Sequence, residues 1–113
     1  MDYKKQLGAW VNTFPKGHTI ARFSLFEENG VLMMETETAT EPIHWGKTAA
    51  FPFGTEKDPA KLAAFEARYE RDAFDAHLCV NESKGLLIVS AFHYMKPGSG
   101  KNSFFTREFF HKD

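Results

Sequence analysis

Five histidines, one cysteine and two closely spaced glutamates are the side chains of this 113-residue chain best suited to hold a metal or move a proton. His18, His44, His77, His93 and His111 show no H-x-H, H-E-x-x-H or paired Cys/His spacing, so the sequence predicts no metal site. Cys79 has no partner for an intrachain disulfide, which is compatible with a reducing compartment. Glu35 and Glu37 share a strand face with Arg22. They read as a solvated or intersubunit charge ladder, not as paired catalytic carboxylates. Ser90 lacks a histidine at nucleophile-motif spacing, and PGSGKN at 97–102 lacks the phosphate-loop pattern and joins two strands. No motif calls for a cofactor. His93 remains the one candidate acid or base, with Tyr69 as a possible hydrogen-bond partner.

The composition narrows the partners. Lys plus Arg is 14 and Asp plus Glu is 15, a net charge of −1, which leaves no excess cation to neutralise a phosphate backbone. Nucleic acid is therefore not an expected partner. No run approaches the roughly 18 apolar residues of a membrane helix, and MDYKKQLGAW has no apolar stretch behind its lysines. The expectation is a cytoplasmic chain with no membrane partner. Residues 1–113 fit a single domain with one core.

The elements that must position these residues read as strands. Twelve phenylalanines and scarce helical periodicity favour an all-β chain. Asn29-Gly30 predicts a tight turn between 19–27 and 31–39, with Glu28 opposite Val31, Leu25 opposite Met34 and Phe23 opposite Thr36. A second hairpin lies in DAHLCVNESKGLLIVSAFHYM. With Ser83-Lys84 as its central residues, Val80 faces Leu87, Leu78 faces Val89 and Ala76 faces Ala91. In residues 58–71 a short helical turn at 59–63 followed by a strand competes with a helix reaching Arg71. The candidate strands are 8–14, 19–27, 31–39, 43–53, 64–71, 74–81, 86–95 and 103–110. Short sequential connections between eight such strands predict an antiparallel up-and-down β-barrel.

Gly8-Ala9-Trp10, with Asn12 and then Thr19-Ile20, resembles the G-x-W opening of the calycins and, within them, of the avidin/streptavidin family. The resemblance implies an eight-stranded barrel whose opening tryptophan is covered by a basic residue of the last strand. Arg107 in TREFF is placed for that closing role over Trp10. It also implies that Asn12 contacts a ligand head group. Avidins wall their ligand with several tryptophans, whereas this chain adds only Trp45, which points to a ligand other than biotin or to none.

Each of these residues also has a plainer reading. Trp10 can simply seal a barrel end, Asn12 can bond local backbone, and Trp45-Gly46 can be a core tryptophan beside a bulge. His93 can be a satisfied core histidine. The candidate pocket comprises Trp10, Asn12, Phe23, Met34, Thr36, Trp45, Tyr69, His93 and Phe105. With Phe105 and Phe109 inward, the outward set Leu86, Ile88, Phe92, Tyr94, Phe104 and Phe110 forms an apolar patch, predicting a homodimer or tetramer. Three functions stay open: a carrier of a small, partly hydrophobic ligand, an isomerase or cyclase using His93, and a filled barrel that only assembles.

Overall fold

The computed structural model describes residues 1–14, 19–40 and 43–113, so His18 lies outside the described residues. Eight strands follow one another: β1 (Gly8–Asn12), β2 (Ile20–Glu28), β3 (Val31–Thr38), β4 (His44–Gly54), β5 (Leu62–Glu70), β6 (Phe74–Ser83), β7 (Leu86–Met95) and β8 (Phe104–Lys112). Each pairs antiparallel with the next, and β8 returns to β1, closing the barrel. The closed eight-stranded antiparallel barrel is consistent with a calycin-like fold. The only helical element among the described residues is a 3-10 turn, Lys4–Gln6.

The expected helical turn at 59–63 is absent. Asp58 instead closes a tight turn, its carboxylate accepting from the Ala60 N–H at 3.2 Å and its carbonyl from the Lys61 N–H at 3.0 Å. The chain then enters β5, where Phe65, Ala67 and Tyr69 all turn inward and are buried.

The β2–β3 register is the expected one, with Leu25 opposite Met34 and Phe23 opposite Thr36. The β6–β7 register differs by two residues. Lys84 and Gly85 are the central pair of the turn, with φ of 52° and 82°, so Val80 faces Val89, Leu78 faces Ala91 and Ala76 faces His93. A two-residue tight turn of this kind needs positive φ at both centres, which Lys84-Gly85 supplies and Ser83-Lys84 does not. Because the slip is two, every side chain keeps its expected face.

In β8 the faces are reversed. Leu87 pairs with Phe110, Val89 with Glu108, Ala91 with Thr106 and His93 with Phe104, so Phe104, Thr106, Glu108 and Phe110 share the inward parity. Phe110 is fully buried and meets Phe23 edge-on at 4.9 Å. Phe105 stands on the outer wall, 53% exposed. Phe105 is therefore not a pocket residue, and Phe110 is core, not an outer contact. The hydrophobic pattern could not decide, because SFFTREFFH carries two phenylalanines on each face. Polar partners decide it: Glu108 turns inward, where its carboxylate accepts from the Asn12 amide at 3.0 Å and the Thr19 N–H at 3.2 Å.

One barrel end is plugged. Trp10 is buried and donates its indole N–H to the Gln6 carbonyl at 2.8 Å. The covering cation is Lys112, not Arg107. Trp10 pairs directly with Lys112 across the β1–β8 seam, and the ammonium sits 5.2 Å from the indole centroid. That ammonium also donates to the carbonyls of Lys5 and Leu7, fastening the N-terminal turn over the end. Arg107 pairs with Ser90 on the outer wall and lies over Phe109. Lys112→Ala should therefore cost about 1 kcal/mol in urea unfolding, and Arg107→Ala only a few tenths. Equal losses from the two variants would contradict this closure.

Candidate functional site

The opposite end, beyond the last residues of β1, β3, β5 and β7, holds a cavity of about 350 Å³. Below it the barrel is filled by tightly buried side chains, among them Phe23, Leu25, Met34, Leu78 and Phe110. Trp45, Phe74, Met95 and Phe104 supply apolar walls, and Thr19, Thr38, Thr40, Ser99 and Asn102 supply hydroxyls and an amide. Lys101 is the one charged side chain among the described lining residues. His93 forms part of the lining from deep in β7.

Trp45 reaches this wall through a bulge. Thr36 pairs with Gly46 and Glu37 with His44, so Trp45 is an extra residue in β4 and turns inward beside it. Gly46 has φ of 80°, which a side chain would strain. The displaced carbonyl of Trp45 accepts from the Arg71 guanidinium, with Nε at 3.0 Å and a second contact from Nη2. Arg71 is thus a positioning residue for Trp45. Its ring then contacts Phe74 at 4.9 Å, Tyr69 at 5.3 Å and His93 at 5.9 Å.

His93 is 2% exposed, stacks on Phe104 at 4.3 Å and has its Nε2 3.1 Å from the Thr106 hydroxyl. Burial pushes its imidazole down to about 4 from the ordinary 6.5, so the ring is neutral at pH 7. Among the described residues that hydroxyl is the one hydrogen-bond partner of the ring. Tyr69 is engaged elsewhere. Its hydroxyl lies 2.9 Å from the Gly46 carbonyl and 3.0 Å from both the Met34 carbonyl and the Thr36 hydroxyl, knitting β3, β4 and β5 together. Burial also pushes the phenol up to about 12, so it does not ionise near neutrality.

The chain matches no family model, no curated protein and no solved structure. What the site can do is read from its geometry. Of the sequence-predicted pocket, Trp45 and His93 line the cavity. Phe23, Met34, Thr36 and Tyr69 are core beneath it, Trp10 plugs the far end, and Phe105 is outside. Asn12 lies in a separate recess of about 300 Å³ with Phe14 and Glu108. Its amide group donates to the Ile20 carbonyl and Glu108, and its oxygen accepts from the Phe14 N–H, so it binds the barrel's own backbone.

Phe74, Met95, Phe104 and the threonines were missed by the sequence reading. Phe104 follows from the inward parity of His93 once β8 is correctly registered, and Phe74 from its position at the start of a strand whose even residues are buried. The loop residues Ser99, Lys101 and Asn102 carry no comparable periodic signal. Elsewhere, Glu37 approaches His44 at 4.0 Å, Arg22 meets Asp113 at 3.2 Å and Glu28 meets Lys47 at 2.7 Å, forming an outer charge network.

The neutral burial of His93 gives a pH dependence of definite sign. As pH falls from 7.5 to 4.5, the unfolded chain protonates His93 near 6.5 while the folded chain does not, so stability falls. Urea titrations at the two pH values should show wild type losing about 2 to 3 kcal/mol more than His93→Gln. An identical pH dependence in both proteins would overturn the neutral-histidine assignment.

Proposed function

We propose that this protein binds or carries a small, partly apolar molecule in the open end of its barrel, and that it acts as a homo-oligomer. The observation that carries the reading is the cavity beside His93. Its volume of about 350 Å³ is at the small end of the range for ligand sites, about 300–1,000 Å³. Its aromatic walls suit an apolar body, and its hydroxyl-rich rim suits a polar end. Lys101, with no carboxylate among the described lining residues, favours a neutral or anionic end over a cationic one. This keeps the binding class implied by the avidin-like opening and moves the ligand from Asn12 to the His93 mouth. A filled scaffold would not need this space. An acid-base enzyme would need a second titratable group beside His93, and Tyr69 is bound to Thr36 and two carbonyls instead.

A neutral, polarity-sensitive aromatic such as 1-aminoanthracene serves as the probe. Its fluorescence should rise on saturable one-to-one binding, and Ala73→Trp, which narrows the mouth from an exposed position, should weaken that binding about tenfold. Wild type without saturable binding, or a variant that binds equally well, would refute the cavity as the site.

The oligomer reading rests on the outer wall of β7 and β8. Phe92 and Phe105 lie 5.1 Å apart, 44% and 53% exposed, with Tyr94 exposed beyond them and Leu86 half-buried; Ile88, expected on this surface, is buried at 7% exposure and takes no part in it. Phe105 takes the place that the sequence reading gave to Phe110. Size-exclusion chromatography with light scattering should report a dimer or larger at micromolar concentration, and Phe92→Lys with Phe105→Glu should give folded monomer. A monomeric wild type is the contrary result.

A further inference from the structure

The outer wall of β5 and β6 carries a cluster that the barrel cavity does not use. Glu66 stands directly opposite Cys79 across the strand pair, and His77 precedes Cys79 by two residues on the same face. His77 Nε2 is 2.8 Å from Glu66 Oε2, and Cys79 Sγ is 3.7 Å from His77 Nε2. All three donor atoms lie within 4.8 Å of one another. We propose that Glu66, His77 and Cys79 form a three-ligand site for Zn²⁺, with the fourth position open to water.

The geometry is close to what the ion needs. Zinc bonds of about 2.0 to 2.3 Å in a tetrahedral arrangement separate the ligand atoms by about 3.3 to 3.8 Å. The sulfur–nitrogen spacing already falls in that range, and the Glu66–His77 pair has to open by roughly half an ångström. The strands beneath hold the Cα positions in register, so side-chain torsions alone supply this movement. The donor set selects the metal class. A thiolate and an imidazole suit Zn²⁺ and neighbouring transition ions, whereas Mg²⁺ and Ca²⁺ require oxygen cages.

Charge and burial agree with this assignment. His77 and Glu66 side chains are only 20% and 29% exposed, and Phe92 shields His77 from one side at 6.4 Å. On binding, the Cys79 thiol proton passes to solvent, and the thiolate and the Glu66 carboxylate together neutralise the dication. The loaded site is thus neutral overall on a half-buried wall. Burial and the Glu66 carboxylate push the Cys79 thiol up, and Arg68, across from His77, only partly opposes them, so it is the bound ion that holds the thiolate. Sequence spacing hid the site, because its third ligand comes from the neighbouring strand and H-x-C has no familiar metal-motif form.

The test uses the full chain, reduced and stripped with a chelator, then titrated with Zn²⁺ by calorimetry and with Co²⁺ by absorption. One equivalent should bind, with a thiolate-to-cobalt charge-transfer band. Cys79→Ser should abolish that band, and His77→Gln and Glu66→Gln should each weaken Zn²⁺ binding at least about tenfold, with His111→Gln as the unaffected control. If Cys79→Ser fails to fold, wild type still decides the matter: Zn²⁺ should slow iodoacetamide alkylation of Cys79, the only cysteine, about tenfold. Absence of saturable Zn²⁺ binding, binding unchanged in both folded variants, or alkylation indifferent to Zn²⁺ would each overturn the proposal.

Discussion

The pairing of β1 with β8 is the constraint on which the rest of the molecule depends. β1 spans only Gly8–Asn12, yet it must bond β2 on one side and β8 on the other for the sheet to have no edge. The seam register sets Trp10 opposite Lys112 and Asn12 opposite Phe110. From those two pairings follow the plugged end, the burial of Phe110 and the inward direction of Glu108. A carboxylate inside a barrel is costly unless it is bonded. Here Asn12 and the Thr19 and Ile20 amides meet it, so the seam and the chain entering β2 are fastened by one side chain.

The strand count and the alternation along β2, β3, β6 and β7 were legible because period two and the Asn-Gly turn are local properties. Even the two-residue slip in β6–β7 left the inward set unchanged. The β8 face was not legible: its phenylalanines fall on both parities, and the deciding partners of Glu108 lie near residue 12 and residues 19–20, about ninety positions away. The closing cation was misplaced for the same reason. Arg107 and Lys112 are both basic and both late in the last strand, and only the register across the seam distinguishes them. His93 was placed inward by parity alone, whereas its partner Thr106 depended on the β8 register and so was missed.

One wall of the cavity depends on a strand that breaks its own alternation. Inserting Trp45 ahead of Gly46 lets a large ring join an inward row that already includes Ala50, and it leaves a carbonyl outside the ladder. Arg71 satisfies that carbonyl and at the same time lies 4.9 Å over the Tyr69 ring, so a cation, a bulge and a phenol support one another. Tyr69 closes the arrangement by bonding across β3 and β4. The wall is therefore rigid where Trp45 meets Phe74 and His93, and its polar groups are concentrated toward the rim. Such a division suits retention of an apolar body more than proton transfer at depth.

The two histidines of the β6–β7 hairpin show how far one parity decides chemistry. His93 faces inward, loses its hydration among Trp45 and Phe104, and among the described residues meets only the Thr106 hydroxyl, so the neutral ring is the stable form. His77, on the adjacent strand, faces outward between a carboxylate and a thiol and remains partly open to water. The first environment rejects a charge; the second brings a carboxylate, an imidazole and a thiol together where a cation can reach them. Since a slip of a single residue would exchange the two faces, the Lys84-Gly85 turn that fixes this register also fixes which histidine belongs to the cavity and which to the outer wall.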